Sequence, residues 1–406
     1  MVAARSHAAN GAPRPEASTA GLRLGLVGGS VALGLAAGAA VGVAAITAAF
    51  ARAVVTPPHS RTERERVLAV NRDSNEIVLA DSADARVQGE YSLWFDGGTG
   101  HARVGRILAV GKGRVTRELG RVDRGELRAG AHARFNGWVM ISPREVGLPF
   151  EAVQVATQYG AAPAWLFPAA TDSGLWAVHV HGRATRREET LRGARILHDA
   201  GYTSLVVSYR NDGDAPSSPD GRYGLGATEW RDVDAAIRYA ERGGARSIVL
   251  VGWSMGGAIA LQTVTRSSRR ASVTGVILDS PVIDWRATLR LQARLMAFPS
   301  WIAAAVITTL QQQWATCITG QSSVVSFETF DFVTRAAELD VPILLMHSVD
   351  DGYVPSEPSE ALAKARPDLV EFVRFDTARH TKLWNYAPAR WEGAVSSWLE
   401  RLQRRA

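Results

Sequence analysis

Apolar positions follow three different rhythms along this chain. From Leu24 to Phe50 no side chain carries a charge, a run of 27 residues. About 20 such residues cross a bilayer as a helix. Arg5, Arg14 and Arg23 precede the run, and Arg52, Arg61, Arg64 and Arg66 follow it. The pattern predicts a transmembrane anchor over 24–50 behind an N-terminal tail, 1–23. The rival is a signal peptide cleaved at Ala51-Arg52-Ala53, which would make the chain secreted. The run is longer than the roughly 7–15 residues of a signal peptide's apolar region, which favours the anchor. Arg is similarly frequent on both sides, so charge does not set the orientation. Gly21, Gly25 and Gly29, then Ser30, Gly34, Gly38 and Gly42, recur every four residues. Small residues so spaced form a flat helix face, one through which the span could weakly self-associate.

Thr56-Pro57-Pro58 ends the helical rhythm, because proline lacks an N–H and fixes φ. Period-two alternation follows. Arg66 to Val70, Glu76 to Leu79, Tyr91 to Phe95, Arg103 to Val110 and Ala133 to Ile141 read as strands. Asp96-Gly97-Gly98 and Gly111-Lys112-Gly113 are turn signals. A small β-rich domain is expected over 60–150. It carries no catalytic constellation, and its lone His101 and His132 read as surface or structural residues.

From Trp165 apolar strands alternate with helical stretches. Strands are predicted at Trp176–His181, Thr203–Ser208, Ser247–Val251, Val273–Leu278, Val341–Met346 and Val370–Phe375. Helices are predicted at Arg186–Ala200 and Ala227–Arg242, after Met255, and from near Ala387. This order argues for an α/β fold, a mostly parallel sheet covered on both faces, over 160–406. Within it, residues 282–340 form an insertion whose Trp285–Ala297 and Trp301–Trp314 read as apolar helices.

Composition excludes more than it assigns. With 46% hydrophobic and 21% charged residues the 406-residue chain is globular. A single cysteine, Cys317, rules out an intrachain disulfide framework. The net charge of +6 is spread, and no zinc-finger, RNA-binding or helix-turn-helix pattern accompanies it, so nucleic acid is not an expected partner. No metal-ligand spacing occurs, and neither a metal nor an organic cofactor is expected.

The chemistry concentrates at Gly252-Trp253-Ser254-Met255-Gly256-Gly257, between a strand and a helix. G-x-S-x-G in that context is a nucleophile elbow, a sharp turn that lifts the serine above the sheet at a helix N-terminus. Such a serine needs a base and an orienting acid. Asp350 and Asp351 follow the strand Val341–Met346, and His380 follows the last strand. The order Ser254, Asp, His is that of a strand-borne elbow. His179-Val180-His181-Gly182-Arg183 closes an earlier strand, where backbone N–H groups can complete an oxyanion hole. The backbone N–H groups of Arg183 and Met255 are the candidate donors; His179 and His181 read as structural.

From about Trp165 onward the chain resembles the α/β-hydrolase superfamily, and within it the bacterial hydrolases grouped with prolyl-oligopeptidase-like catalytic domains. The resemblance rests on His181-Gly182, the elbow, Leu278-Asp279-Ser280-Pro281, Asp351-Gly352-Tyr353-Val354-Pro355 and His380. It implies that the acid lies four residues before Pro355, which selects Asp351 over Asp350; Asp279 matches a position where some members carry an alternative acid, and here reads as structural. It implies that the 282–340 insertion is a cap over the site. The β-rich segment lies outside the resemblance. It is too short for a β-propeller, whose blades take roughly 40–50 residues each.

The expectation is a membrane-anchored serine hydrolase acting on a small-molecule or lipid-like ester through Ser254, His380 and Asp351. A serine peptidase with the same residues, or a non-catalytic hydrolase-like scaffold binding a partner, are the rivals.

Overall fold

The computed structural model describes residues 41–58 and 60–405. The first part of the predicted anchor, 24–40, lies outside the described residues, as does the tail 1–23. Residues 41–55 are helical. Among the described residues no helix is long and apolar enough to cross a membrane.

Six strands close into a barrel in the order β1-β2-β5-β4-β3-β6. They are β1 (Glu65–Asn71), β2 (Glu76–Ala80), β3 (Tyr91–Phe95), β4 (Gly100–Gly111), β5 (Arg114–Arg124) and β6 (His132–Asn136). Closure comes from β6 pairing with both β1 and β3, which leaves no sheet edge exposed. Val67, Ile77, Leu79, Leu93, Val104 and Phe135 fill its interior.

The alternation in sequence misses β5. Its inward positions are Val115, Arg117 and Leu119, so a charge stands where a core residue is expected. Arg117 is fully buried. Its guanidinium donates to Gly105 O at 2.9 and 2.6 Å, Ala85 O at 3.0 Å, Val87 O at 2.7 Å and Gly89 O at 2.8 Å. It also lies 5.4 Å from the Tyr91 ring centre and 5.3 Å from that of Phe135. Backbone carbonyls and ring faces thus stand in for a counter-ion. Burial pulls its pKa down to about 10, which leaves it cationic at neutral pH.

The second sheet has eight strands in the order β14-β13-β12-β11-β9-β10-β8-β7. Its first two are β7 (Glu151–Thr157) and β8 (Gly160–Phe167), an antiparallel pair at one edge. The sheet therefore begins nine residues before the boundary expected at 160. A hairpin of this kind carries no βαβ signature, and only pairing with β10 assigns it to this sheet. The rest are β9 (Leu175–Val180), β10 (Thr203–Val207), β11 (Ser247–Trp253), β12 (Val273–Asp279), β13 (Ile343–Ser348) and β14 (Val370–Phe375). All pairings from β10 to β14 are parallel, which suits their near-continuous apolar sequences.

β10 and β11 lie on opposite sides of β9, so the chain reverses direction across the sheet there. Such a switch point leaves a crevice beyond the strands' C-terminal ends. Beneath it Trp253 and Trp391 are fully buried and stack with ring centres 6.4 Å apart. The insertion holds helices Trp285–Leu295 and Ser300–Leu310, packed through Leu289, Ala293, Ile302 and Val306.

Candidate active site

Ser254 sits between β11 and the helix Met255–Arg266 with φ 52° and ψ −117°. A non-glycine residue there costs on the order of 1–3 kcal/mol, so its surroundings must enforce it. They do so by hydrogen bonds. Ser254 N donates to Asp279 O at 3.0 Å, while Ser254 O accepts from Gly257 N at 3.0 Å and Val282 N at 3.1 Å. The glycines of the motif permit close approach. A Cβ on Gly252 would stand 2.6 Å from Gly256 O, and one on Gly256 would stand 2.2 Å from Val180 O.

Three residues distant in sequence meet at this turn. His380 Nε2 lies 3.0 Å from Ser254 Oγ, and His380 Nδ1 lies 2.6 Å from Asp351 Oδ2. With Nδ1 protonated toward the carboxylate, Nε2 is free to accept the serine proton. Asp351 is buried, and its other oxygen accepts from Tyr353 N at 2.8 Å and Val354 N at 2.9 Å. Burial alone would push this carboxyl up. His380 and His347, through charge and hydrogen bonding, instead hold it well below the usual carboxylate range.

The loop bearing His380 is itself clamped. Arg379 and Thr381 both have positive φ, 63° and 50°. Arg379 N donates to Asp350 Oδ1 at 2.9 Å, and Thr381 N donates to Ser280 Oγ at 3.0 Å. Asp350, the competing acid, thus braces the loop rather than the imidazole. Asp279 faces away as well, accepting from Trp391 Nε1 at 2.9 Å and Ser280 Oγ at 3.0 Å, and burial raises its pKa.

The two expected oxyanion donors also come close. A Cβ on Gly182 would lie 3.2 Å from Ser254 Cβ, so the Gly182-Arg183 backbone borders the nucleophile. Arg183 N makes no hydrogen bond among the described residues. Met255 opens its helix, so its N–H has no acceptor within that helix. The loop is held by groups that local sequence spacing did not reveal. Glu189 Oε2 accepts from Gly182 N at 2.7 Å, Tyr209 OH donates to Gly182 O at 2.8 Å, and Asp212 Oδ2 accepts from Ala184 N at 3.1 Å. Burial pushes the Asp212 carboxyl up to about 7.

His347 was also missed as part of the constellation. It ends β13 fully buried, with Nε2 3.2 Å from Asp351 Oδ2 and Nδ1 2.8 Å from Ser359 Oγ. The only sequence signal is its four-residue offset from Asp351. His179 and His181 are buried and pushed down to about 3 and about 4 by desolvation, so both are neutral. His179 Nε2 is 3.0 Å from Ser204 Oγ, and His181 stacks on Tyr209 at 4.1 Å; both shape the loop. In the barrel His101 is likewise structural, with Nδ1 2.8 Å from Asp123 Oδ2.

Tyr353, more than half exposed, lies with its ring centre 5.4 Å from that of His380. Gln292 of the 282–340 insertion donates to Tyr353 O at 2.7 Å, tying the insertion to the loop of Asp351.

No curated protein matches the chain in sequence. Among solved structures, two crystal forms of an esterase from Pyrococcus furiosus are similar. One has TM-score 0.51 at 18% identity, covering 65% of this chain and 94% of that one. The other has TM-score 0.50 at 18% identity, covering 64% of this chain and 96% of that one. At that identity the likeness is one of fold. Residues 66–136, the barrel, match a family described only as a domain of unknown function. Residues 177–394, just over half of the chain, match the family described as "Alpha/beta hydrolase family". The strand order, the elbow and this match agree, and the chain belongs to the α/β-hydrolase family.

Proposed function

We propose that the protein is a serine hydrolase that cleaves a carboxylic ester. The observation that carries the reading is the continuous contact from Ser254 Oγ through His380 to the buried Asp351, at 3.0 and 2.6 Å, on an elbow with φ 52°. Ser254 Oγ attacks the acyl carbon while His380 Nε2 takes its proton. Asp351 holds the imidazole tautomer and stabilises the imidazolium. The backbone N–H groups of Arg183 and Met255 receive the negative charge on the carbonyl oxygen. His380 then gives the proton to the departing alcohol, leaving an acyl-serine. Water repeats the sequence with His380 as base and releases the acid.

That the similar Pyrococcus furiosus structures are of an esterase supports an ester over a peptide. The Asp351–Pro355 register supports kinship with the prolyl-oligopeptidase-like branch. We further propose that 24–50 anchors the protein in a membrane, on the strength of its 27 uncharged residues.

A fluorophosphonate probe tests the reading. Wild type should label at Ser254 and hydrolyse a short aryl ester, and Ser254→Ala should do neither while keeping its circular dichroism. An unlabelled wild type, or a Ser254→Ala variant within tenfold of wild-type activity, would overturn it.

A further inference from the structure

A cavity of about 780 Å³ opens between the barrel, the segment 56–63 and the loops of the α/β domain. Its wall reaches the loop that follows Gly182 and holds none of Ser254, Met255, Asp351 and His380. Ala184 and Thr185 line it, and the preceding Gly182 borders Ser254. The cap helices contribute nothing to its wall.

Its charge is unbalanced. Arg61, Arg124, Arg134, Arg186 and Arg222 all line it. None of them forms an ion pair among the described residues. Arg61 and Arg222 each donate to a backbone oxygen, Arg183 O at 2.7 Å and Thr319 O at 2.9 Å, and keep further N–H groups for another acceptor. Arg134 lies over Trp94 at 5.9 Å, and burial lowers its pKa only to about 10. The carboxylates on the same wall do not offset this charge. Five guanidiniums face three carboxylates: burial pushes Glu188 up and Asp212 up to about 7, and Glu63 Oε1 accepts from Gly98 N at 3.0 Å. The indole N–H groups of Trp94 and Trp138 are buried without an acceptor, and Glu188 Oε2 is buried without a donor.

Guanidiniums without a carboxylate partner around one cavity suit a carboxylate or phosphate, since the planar fork offers paired N–H donors to two oxygens. The position of the cavity says what would carry that anion. The Arg61 side chain bonds to the Arg183 carbonyl and Ala184 lines the wall, so the cavity and the loop of the candidate oxyanion donor are continuous. Resting on the ester-hydrolase reading above, we propose that this cavity binds an anionic substituent, a carboxylate or a phosphate, carried by the ester substrate. The barrel is then part of the substrate site: it contributes Arg124 and Arg134 and sets specificity without touching the reacting atoms.

The test compares matched esters that differ only in charge: p-nitrophenyl butyrate against p-nitrophenyl hemiglutarate, for an anion on the acyl side, and phenyl butyrate against the butyrate ester of 4-hydroxybenzoate, for one on the alcohol side. Wild type should prefer the anionic member of at least one pair by about tenfold or more in kcat/KM, the worth of one or two charged hydrogen bonds. Arg124→Gln combined with Arg186→Gln should abolish that preference through KM. Its rate on the neutral esters should stay unchanged, which also reports that the variant is folded. Vesicles of phosphatidylglycerol and of phosphatidylcholine distinguish the source of the anion. Faster acid release from the former, lost in the double variant, identifies a lipid headgroup; no difference between vesicles, with preference among the soluble esters, identifies a small anionic ester. Equal kcat/KM within every soluble pair, or a preference that survives the double substitution, would overturn the proposal. Failure of the ester reading itself is read separately. Calorimetric titration of the Ser254→Ala variant with monomethyl glutarate should still show binding that the two arginine substitutions weaken about tenfold, and absence of that binding counts against the cavity whatever the catalytic result.

Discussion

At the scale of single residues, the acid and the buried carboxyl beside the oxyanion loop give the sharpest expectations. Asp351→Asn should lower kcat/KM far more than Asp350→Asn, because only Asp351 contacts His380 and Asp350 is spent on Arg379 N and Ser348 Oγ. Loss of the orienting acid costs on the order of 10⁴ in a serine protease. Steady-state rates of the two variants decide it, and comparable small losses would remove Asp351 from the role. Asp212 makes a pH prediction. Its folded pKa, about 7, lies above its ordinary value of 3.8, so the native state holds the proton more tightly than the unfolded chain does. Stability from this group is therefore intact below pH 3.8 and falls as pH rises to about 7. Urea midpoints taken from pH 4 to 8 should decline less steeply in Asp212→Asn than in wild type; parallel slopes would refute the assignment. Much of this was legible in sequence. The triad residues each stood at a strand end with a motif around them. Glu189, Tyr209 and His347 did not, because a side chain that acts by supporting another residue's backbone or carboxylate has no spacing rule of its own.

At the scale of elements, β5 shows where pattern reading stops. Arg117 in an inward position breaks the alternation that identifies a strand, and only the carbonyls of 85–89 and Gly105, brought there by barrel closure, make it a core residue. Arg117→Ala leaves those carbonyls without donors and opens a cavity. Removing one partner of a buried charged network costs about 3–5 kcal/mol, enough to unfold a small barrel. Thermal unfolding followed by circular dichroism should show this loss, and a melting point within a degree or two of wild type would contradict it. The elbow helix is the opposite case. A substitution of Gly256 by Ala places a methyl within 2.2 Å of Val180 O, against a backbone that cannot yield, so the motif's glycine is dictated by the approach of the elbow helix to the end of β9.

At the scale of the whole molecule, the barrel is fastened to the loop that carries His380. Asp84 of the barrel accepts from Lys382 Nζ at 2.8 Å and from Arg379 Nε at 3.3 Å, the residues on either side of the histidine segment. Asn385 adds bonds to Glu90 O at 2.8 Å and Gly137 O at 2.9 Å. Asp84→Asn should therefore slow fluorophosphonate labelling of Ser254 several-fold and lower stability by roughly 1–3 kcal/mol, the range for hydrogen bonds to charged groups. Labelling at the wild-type rate would show that the barrel does not brace the loop. For the proposed anchor, the full-length protein should stay with membranes through high salt and carbonate. A spanning segment is indifferent to screening, whereas attachment by exposed arginines fails as the Debye length shrinks. Release by salt, or a mature N-terminus at Val54 by mass spectrometry, would remove the anchor.

What the sequence determined by itself was everything governed by local rules. Continuous apolar runs placed six of the eight strands of the α/β sheet, and a serine between two glycines at a strand-to-helix junction marked the elbow, because backbone geometry there depends on the residues themselves. The tertiary structure alone decided which residues meet. It assigned β7 and β8 to the large sheet, put a charge in the barrel core, chose the carboxylate within 2.6 Å of His380, and gathered five unpaired arginines around one cavity. Those outcomes depend on contacts between segments up to hundreds of residues apart, and on burial, which changes what a charge costs; neither quantity is a function of neighbouring letters.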